Sequence, residues 1–147
     1  MNLQETISQE LIQAMKDGQA NKLGVLRLLK TSLKNEQIKL IHELSPEEAL
    51  KVVSREAKQR RDSIVAYEAA KRQDLADEEK AELIIIEEYL PKQLSESDIM
   101  DIINQTASEL GISRKAGMGQ VMAAVMKKTA GAADGAVVSR LVLAHLD

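Results

Sequence analysis

Apolar side chains recur every three or four residues along nearly the whole chain, the spacing that gathers them on one face of an α-helix. The first helix shows the pattern through Leu3, Ile7, Leu11 and Met15, and Gly18 provides its stop. No stretch alternates apolar and polar residues as a half-buried strand does. The pattern therefore predicts an all-α fold of seven helices.

Several helix starts are marked by capping residues, in which a polar side chain accepts a hydrogen bond from the backbone of the first turn. Proline at the first helical position strengthens one of them. Of the remaining helices, the second is predicted from near Asn21 toward Ile41 and the sixth from Gly117-Met118-Gly119. The predicted capped starts are Asn2 with Glu5, Ser45-Pro46 with Glu48, Asp74 with Asp77, Ser95 with Asp98, and Asp134 before Gly135.

A domain boundary is predicted beside Pro91, because proline cannot extend the fourth helix. The third helix is the longest, which favours an elongated N-terminal helical bundle over residues 1–92. The last three helices are short and joined by glycines, which favours a small compact helical domain over residues 93–147. The sequence therefore predicts two all-helical domains.

Composition narrows the class of protein. The 147 residues are 44% apolar and 29% charged, as in globular proteins, and include no cysteine. Disulfides, thiolate zinc sites, iron–sulfur clusters and cysteine nucleophiles are thereby excluded. No stretch approaches the roughly 18 apolar residues of a membrane span, and the N-terminus lacks the pattern of a secretion signal. We therefore expect a cytoplasmic protein with no membrane partner.

The charge is distributed unevenly, although the net value is only −3. Seven basic and three acidic residues give the stretch from Lys51 to Arg72 a net charge of +4. The stretch from Asp74 to Asp98 carries −7, and that from Gly111 to Arg140 carries +4. Two positive stretches thus flank a negative one, and they are candidates for contact with phosphate groups.

Five blocks of sequence, in order over nearly the whole chain, resemble the YqeY family. They are Lys58-Gln59-Arg60-Arg61-Asp62-Ser63 with Tyr67-Glu68, Arg72-Gln73-Asp74-Leu75-Ala76 with Glu79, Glu87-Glu88-Tyr89-Leu90-Pro91-Lys92-Gln93-Leu94, Met118-Gly119-Gln120-Val121-Met122, and Gly131-Ala132-Ala133-Asp134-Gly135 with Val137-Val138-Ser139.

The resemblance implies an N-terminal helical bundle followed by a small helical domain that is similar to the C-terminal tail of GatB. GatB is a subunit of the tRNA-dependent amidotransferase, and its tail is a tRNA-contacting appendage. The resemblance therefore implies a module that associates with tRNA or another structured RNA. It also implies an amidotransferase or another translation enzyme as a protein partner.

The candidate phosphate contacts are basic side chains of the two positive stretches: Lys58, Arg60, Arg61, Lys115, Lys127, Lys128 and Arg140. The alternative for the first three is a solvated face with ion pairs four residues apart. Those pairs would be Glu56 with Arg60, Lys58 with Asp62, and Glu68 with Arg72. A further alternative for Arg61, which lies close to the apolar stripe of the helix, is a place at an interface with its stem buried.

The glycine-rich motif of the second domain has two interpretations. Gly117, Met118 and Gly119 at a helix start are able to expose backbone N–H groups to a phosphate. Glycine there also suits close packing of helices. The remaining motif residues, Gly131, Asp134 and Gly135, are interpreted as structural, with Asp134 as an N-cap.

No catalytic residue, metal site or cofactor is predicted. His42 and His145 are the only histidines, and both are predicted near helix ends. A nucleophile beside a base, a zinc-ligand spacing and a phosphate-binding loop are all missing from the sequence. We therefore expect a non-catalytic RNA-associated module. Two alternatives remain: a carbon–nitrogen ligase that uses glutamine as amido-N-donor, and a module that docks on a translation enzyme.

Overall fold

The all-α prediction is confirmed by the computed structural model, which describes residues 2–147. These residues form seven α-helices and one short 3₁₀ helix, and they contain no strand. None of the described helices combines the length and the apolarity that a membrane crossing requires. The α-helices are α1 (Leu3–Lys16), α2 (Ala20–Leu40), α3 (Pro46–Ala69), α4 (Gln73–Glu87), α5 (Glu96–Leu110), α6 (Met118–Thr129) and α7 (Gly135–His145), and the 3₁₀ helix (Lys115–Gly117) precedes α6.

The predicted caps at the starts of α1, α3, α5 and α7 are confirmed. Ser45 Oγ accepts from the Glu48 N–H at 3.1 Å, and the Ser45 N–H donates to Glu48 Oε1 at 2.9 Å. Asn2 with Glu5 forms the same reciprocal box at the start of α1. Backbone donors of the first turn are thereby satisfied by side chains, which explains why these three-residue spacings mark helix starts.

The fourth helix begins earlier than the predicted cap at Asp74. The N-cap of α4 is Arg72, which makes no side-chain capping bond, and the helix begins one residue before Asp74. The Asp74 carboxylate instead accepts two bonds from the Arg72 guanidinium, each 3.2 Å long. Lys71, with φ 59°, adopts the left-handed region in the short turn between α3 and α4.

The chain divides into two compact units, the first ending at Leu90 and the second spanning Pro91–Asp147. The predicted boundary at residues 92/93 lies two residues further on, and separate domains remain a prediction. In the first unit, α1 packs on α2 and α3 on α4. Its core is aliphatic, and its fully buried large side chains are Ile7, Leu26, Leu29, Leu33, Val52, Val53 and Ile86.

The second unit packs α5, α6 and α7 against one another around a core of its own. Its largest fully buried side chains are Ile103, Val121, Val125, Val138 and Val142. The methionines of α6, among them Met118, are partly buried against this core. The segment before α5 is held by the turn after α6, since the Leu94 N–H donates to the Ala132 carbonyl at 2.8 Å.

Candidate nucleic-acid interface

Arg60, a predicted phosphate contact, lies among carboxylates between α3 and α4. Its Nε donates to Glu82 Oε2 at 2.9 Å, and its Nη1 lies 3.5 Å from Glu56 Oε2. Its side chain is only 13% exposed. We call Glu56, Arg60, Glu79 and Glu82 the arginine cluster. Because three carboxylates surround one guanidinium, the Arg60 charge is already neutralised within the protein.

Glu79 is the least satisfied member of the arginine cluster. Its Oε2 lies 3.5 Å from Arg60 Nε but has no hydrogen-bond partner among the described residues. Burial raises the pKa of the Glu79 carboxyl, and the neighbouring Glu82 charge raises it further. The Arg60 guanidinium opposes both effects without overcoming them. At neutral pH the cluster therefore holds more negative charge than its single cation compensates.

The other two α3 cations also face carboxylates. Arg61 Nη2 lies 3.4 Å from Glu87 Oε1 on α4, and its side chain is 24% exposed. Lys58 Nζ lies 2.9 Å from Asp62 Oδ2 one turn further along α3, with both side chains exposed. The predicted intrahelical pairs of Lys58 with Asp62 and Glu56 with Arg60 are thus confirmed.

The predicted pair of Glu68 with Arg72 is wrong. Glu68 Oε1 lies 2.8 Å from Lys80 Nζ on α4, and Arg72 pairs with Asp74. Since α3 ends at Ala69, Arg72 lies outside the helix and the four-residue spacing no longer places the two side chains on one face.

Two of the four predicted cations in the second unit are also paired. Lys128 Nζ lies 2.9 Å from Glu109 Oε2 and 3.0 Å from Thr106 Oγ1. The hydrogen bond from Lys128 lowers the pKa of the Glu109 carboxyl. Arg140 donates to Glu96 at the start of α5. These pairs are solvent-exposed, and such pairs exchange partners at small energetic cost.

Lys115 and Lys127 are exposed and have no carboxylate within 4.0 Å in residues 2–147. Lys115 begins the 3₁₀ helix that leads into α6, and its backbone N–H donates to the Asp147 carbonyl at 3.0 Å. Arg114, also exposed, directly precedes it. The first turn of α6 contains no acidic residue, and Gly117 provides no side-chain cap. Arg114 and Lys115 therefore place two positive charges beside this helix start, and Asp147, bonded through its backbone to Ser113 and Lys115, places a negative charge near them.

Packing explains only one of the two glycines at the start of α6. A Cβ on Gly117 would lie 2.5 Å from Ile112 Cγ2, so close packing requires glycine there. A Cβ on Gly119 would meet nothing within 4 Å. Packing thus accounts for Gly117 and leaves Gly119 unexplained. Elsewhere in the motif, Gly131 adopts a φ of +88° that favours glycine, while a Cβ on Gly135 would make only ordinary contact with Met126.

A family model described as Yqey-like protein matches residues 4–146, which is nearly the whole chain. The chain belongs to the YqeY family. Among curated proteins, no sequence matches it significantly.

The seven predicted cations of this YqeY-family chain fall into three in the first unit and four in the second. Five of them lie beside carboxylates, and their role in RNA contact remains a prediction. Sequence reasoning missed Arg114 as a candidate, although it adjoins Lys115. It also passed over the exposed cations of α2, among them Lys30 and Lys34. Their signal was the excess of five basic residues over one acid between Ala20 and Leu40.

Proposed function

We propose that the chain is a non-catalytic module that associates with tRNA or another structured RNA through the second unit. Contact is made with the phosphate backbone by exposed cations around the start of α6 and on its last turn. Phosphate contacts position a protein without reading base sequence, so selectivity rests on the shape of the folded RNA.

One observation carries the proposal: Lys115 and Lys127 keep their charges exposed while the other predicted cations face acids. An unpaired lysine gains more from a phosphate than a paired one, because no internal ion pair has to break first. Gly119 adds support, since its backbone is open to close approach and neither packing nor φ requires glycine there. Arg114 adds a third group beside the helix start, after Lys115 and Gly119.

The test is a binding titration with labelled tRNA at about 50 and 200 mM salt. We expect affinity to fall as salt rises, and each of Lys115→Gln and Lys127→Gln to reduce the salt slope by about 1. Lys51→Gln is the matched control, because it removes an exposed lysine of α3 in the first unit. A titration in which Lys51→Gln weakens binding as much as the other two would place the contact elsewhere.

Gly119→Ala separates access to the backbone from fold stability. The added methyl group meets nothing in the protein, so the variant should fold at least as stably as the parent chain. Weaker tRNA binding by this stable variant would support a close approach of phosphate to the start of α6. Unchanged binding would restrict the contact to lysine side chains.

The resemblance to the GatB tail leaves two alternatives: a glutamine-dependent carbon–nitrogen ligase and a module that docks on a translation enzyme. The two are distinguished from RNA association by direct assays. ATP-dependent amidation of misacylated tRNA by the purified chain would favour the ligase. Copurification with an amidotransferase that survives ribonuclease treatment would favour docking.

A further inference from the structure

α2 ends with an isoleucine in a conformation that usually belongs to glycine. Ile41 has φ 60° and ψ 31°, in the left-handed region, and is 89% exposed. The end of α5 has nearly the same backbone geometry but uses Gly111, with φ 67° and ψ 29°. A β-branched residue is disfavoured in this region, and an exposed side chain recovers nothing by packing. The fold therefore gives no reason for isoleucine at this position, which points to a role outside the fold.

Ile41 belongs to an exposed apolar surface on the α1–α2 hairpin. Ile38, three residues earlier on α2, is 65% exposed. Both isoleucines line the same cleft of the hairpin. Large apolar side chains grouped on a surface in this way are typical of an interaction site.

A cleft of about 440 Å³ lies between these two helices, and we call it the α1–α2 groove. Side chains from both helices line it, and Gln4 Nε2 on α1 donates to Gln37 Oε1 on α2 at 3.1 Å. Its principal lining residues are Gln4, Ser8, Lys30, Lys34, Ile38 and Ile41. The groove thus combines a polar α1 side with an apolar and basic α2 side.

The charge of the groove is positive. Lys30 and Lys34 are exposed, one turn apart on α2, with no carboxylate within 4.0 Å among residues 2–147. One carboxylate, that of Glu43, also lines the groove, together with His42, whose Nδ1 lies 2.7 Å from the Glu43 carbonyl oxygen. α2 as a whole carries five basic residues and one acid, which pairs with Arg55.

We propose that the α1–α2 groove binds an acidic amphipathic helix of a partner protein. Aliphatic side chains of that helix contact Ile38 and Ile41, and its carboxylates pair with Lys30 and Lys34. Helices commonly bind in this way, with apolar anchors three or four residues apart seated in a groove. The inference gives a site and a partner chemistry to the docking alternative and is independent of the RNA contacts of the second unit.

Other occupants fit less well. A symmetric second copy would bring two α2 helices together, each with a net charge of +4. An RNA backbone would contact the lysines through its phosphates and leave the isoleucines exposed, because phosphates are polar. A bilayer is flat on this scale and leaves a groove unfilled. The combination of concavity, apolar side chains and unpaired lysines therefore favours an acidic helix.

The test uses the full chain and a labelled synthetic peptide of about 18 residues. Leucine occupies every third or fourth position of the peptide, and glutamate lies on both sides of the helix face that the leucines form. We expect saturable binding that falls at least about tenfold in the Lys30→Glu/Lys34→Glu double variant. A scrambled peptide of identical composition should bind at least tenfold more weakly. Equal binding of both peptides, or no saturation at millimolar peptide, overturns the proposal.

The variant Ile41→Gly separates a loss of peptide binding from a loss of folded protein. We expect it to weaken peptide binding severalfold while its thermal midpoint stays at or above that of the parent chain. The Lys115→Gln/Lys127→Gln double variant should leave peptide binding unchanged, so failure of RNA association and failure of this proposal are told apart. If Lys30→Glu/Lys34→Glu instead weakens binding to tRNA or phosphatidylglycerol vesicles, or abolishes self-association seen by sedimentation, the groove has a different occupant.

Discussion

Two stretches of the first unit carry the same net charge, +4, yet the structure uses them differently. Between Lys51 and Arg72, Arg60 and Arg61 of α3 face carboxylates of α4, and Arg60 is almost removed from solvent. On α2, Lys30 and Lys34 have no such partner among the described residues, and isoleucines lie exposed beside them. Equal charge in the sequence therefore gives an internal ion-pair cluster in one case and a charged surface in the other.

The difference arises from the neighbouring helix. α4 carries six acids and one lysine along Gln73–Glu87, and it packs extensively against α3. α1 lies against α2 and presents the uncharged Gln4 and Ser8 to the α1–α2 groove. A positive stretch is thus available to an external partner where its packing neighbour presents no acids to it. Segment charge alone does not predict a binding surface.

The largest expected effect is on the arginine cluster. Arg60→Met should lower the free energy of unfolding by about 2–3 kcal/mol, because it leaves three carboxylates close together without their cation. Urea unfolding at pH 7 followed by circular dichroism measures the loss. Lys58→Met is the control on the same helix, and a change within about 0.5 kcal/mol is expected there since its ion pair is exposed. Equal losses in the two variants would contradict an internal role for Arg60.

Much of the helical structure could be predicted from the sequence because capping and periodicity are local. The boxes at Asn2 and Ser45 involve residues three apart, and both are confirmed. The start of α4 was misplaced because its N-cap, Arg72, makes no side-chain capping bond that a local spacing could reveal.

The candidate site could be predicted only where its contacts are local. The pair of Lys58 with Asp62 follows from helical spacing, whereas Arg60 meets Glu82 across 22 positions and Arg61 meets Glu87 across 26. Those contacts depend on how α4 packs on α3, which no spacing rule gives. The apolar residues of the α1–α2 groove were hidden for a similar reason, because Ile38 and Ile41 continue a helical pattern that reads equally well as core.

A smaller effect is expected at the end of α2. Ile41→Gly should raise the free energy of unfolding by about 0.5–1 kcal/mol, since relief of the left-handed strain exceeds the entropy that glycine adds to the unfolded chain. Ile38→Gly is the matched control: it removes another exposed isoleucine, but within the helix, and should cost about 0.5–1 kcal/mol. A loss of stability in both variants would mean that Ile41 serves the fold and would remove the main reason to assign it to a partner.

The smallest effect, and the most informative about charge, concerns Glu79. Its pKa is raised above the ordinary 4.5, so the folded state binds this proton more tightly than the unfolded state. The resulting stability is present below pH 4.5 and is lost as pH rises through the raised pKa. At pH 7 the ionised carboxylate therefore opposes folding, and Glu79→Gln should raise the free energy of unfolding by about 0.5 kcal/mol.

The gain from Glu79→Gln should shrink as pH falls toward 4, where the parent chain protonates the same group. Urea unfolding at pH 7 and pH 4 measures both values, and Glu78→Gln, one residue earlier and exposed, is the control with little change at either pH. A gain that is equal at both pH values would assign the effect to packing rather than charge. The arginine cluster would then be electrostatically balanced, and its contrast with the unpaired lysines of α2 would rest on Arg60 alone.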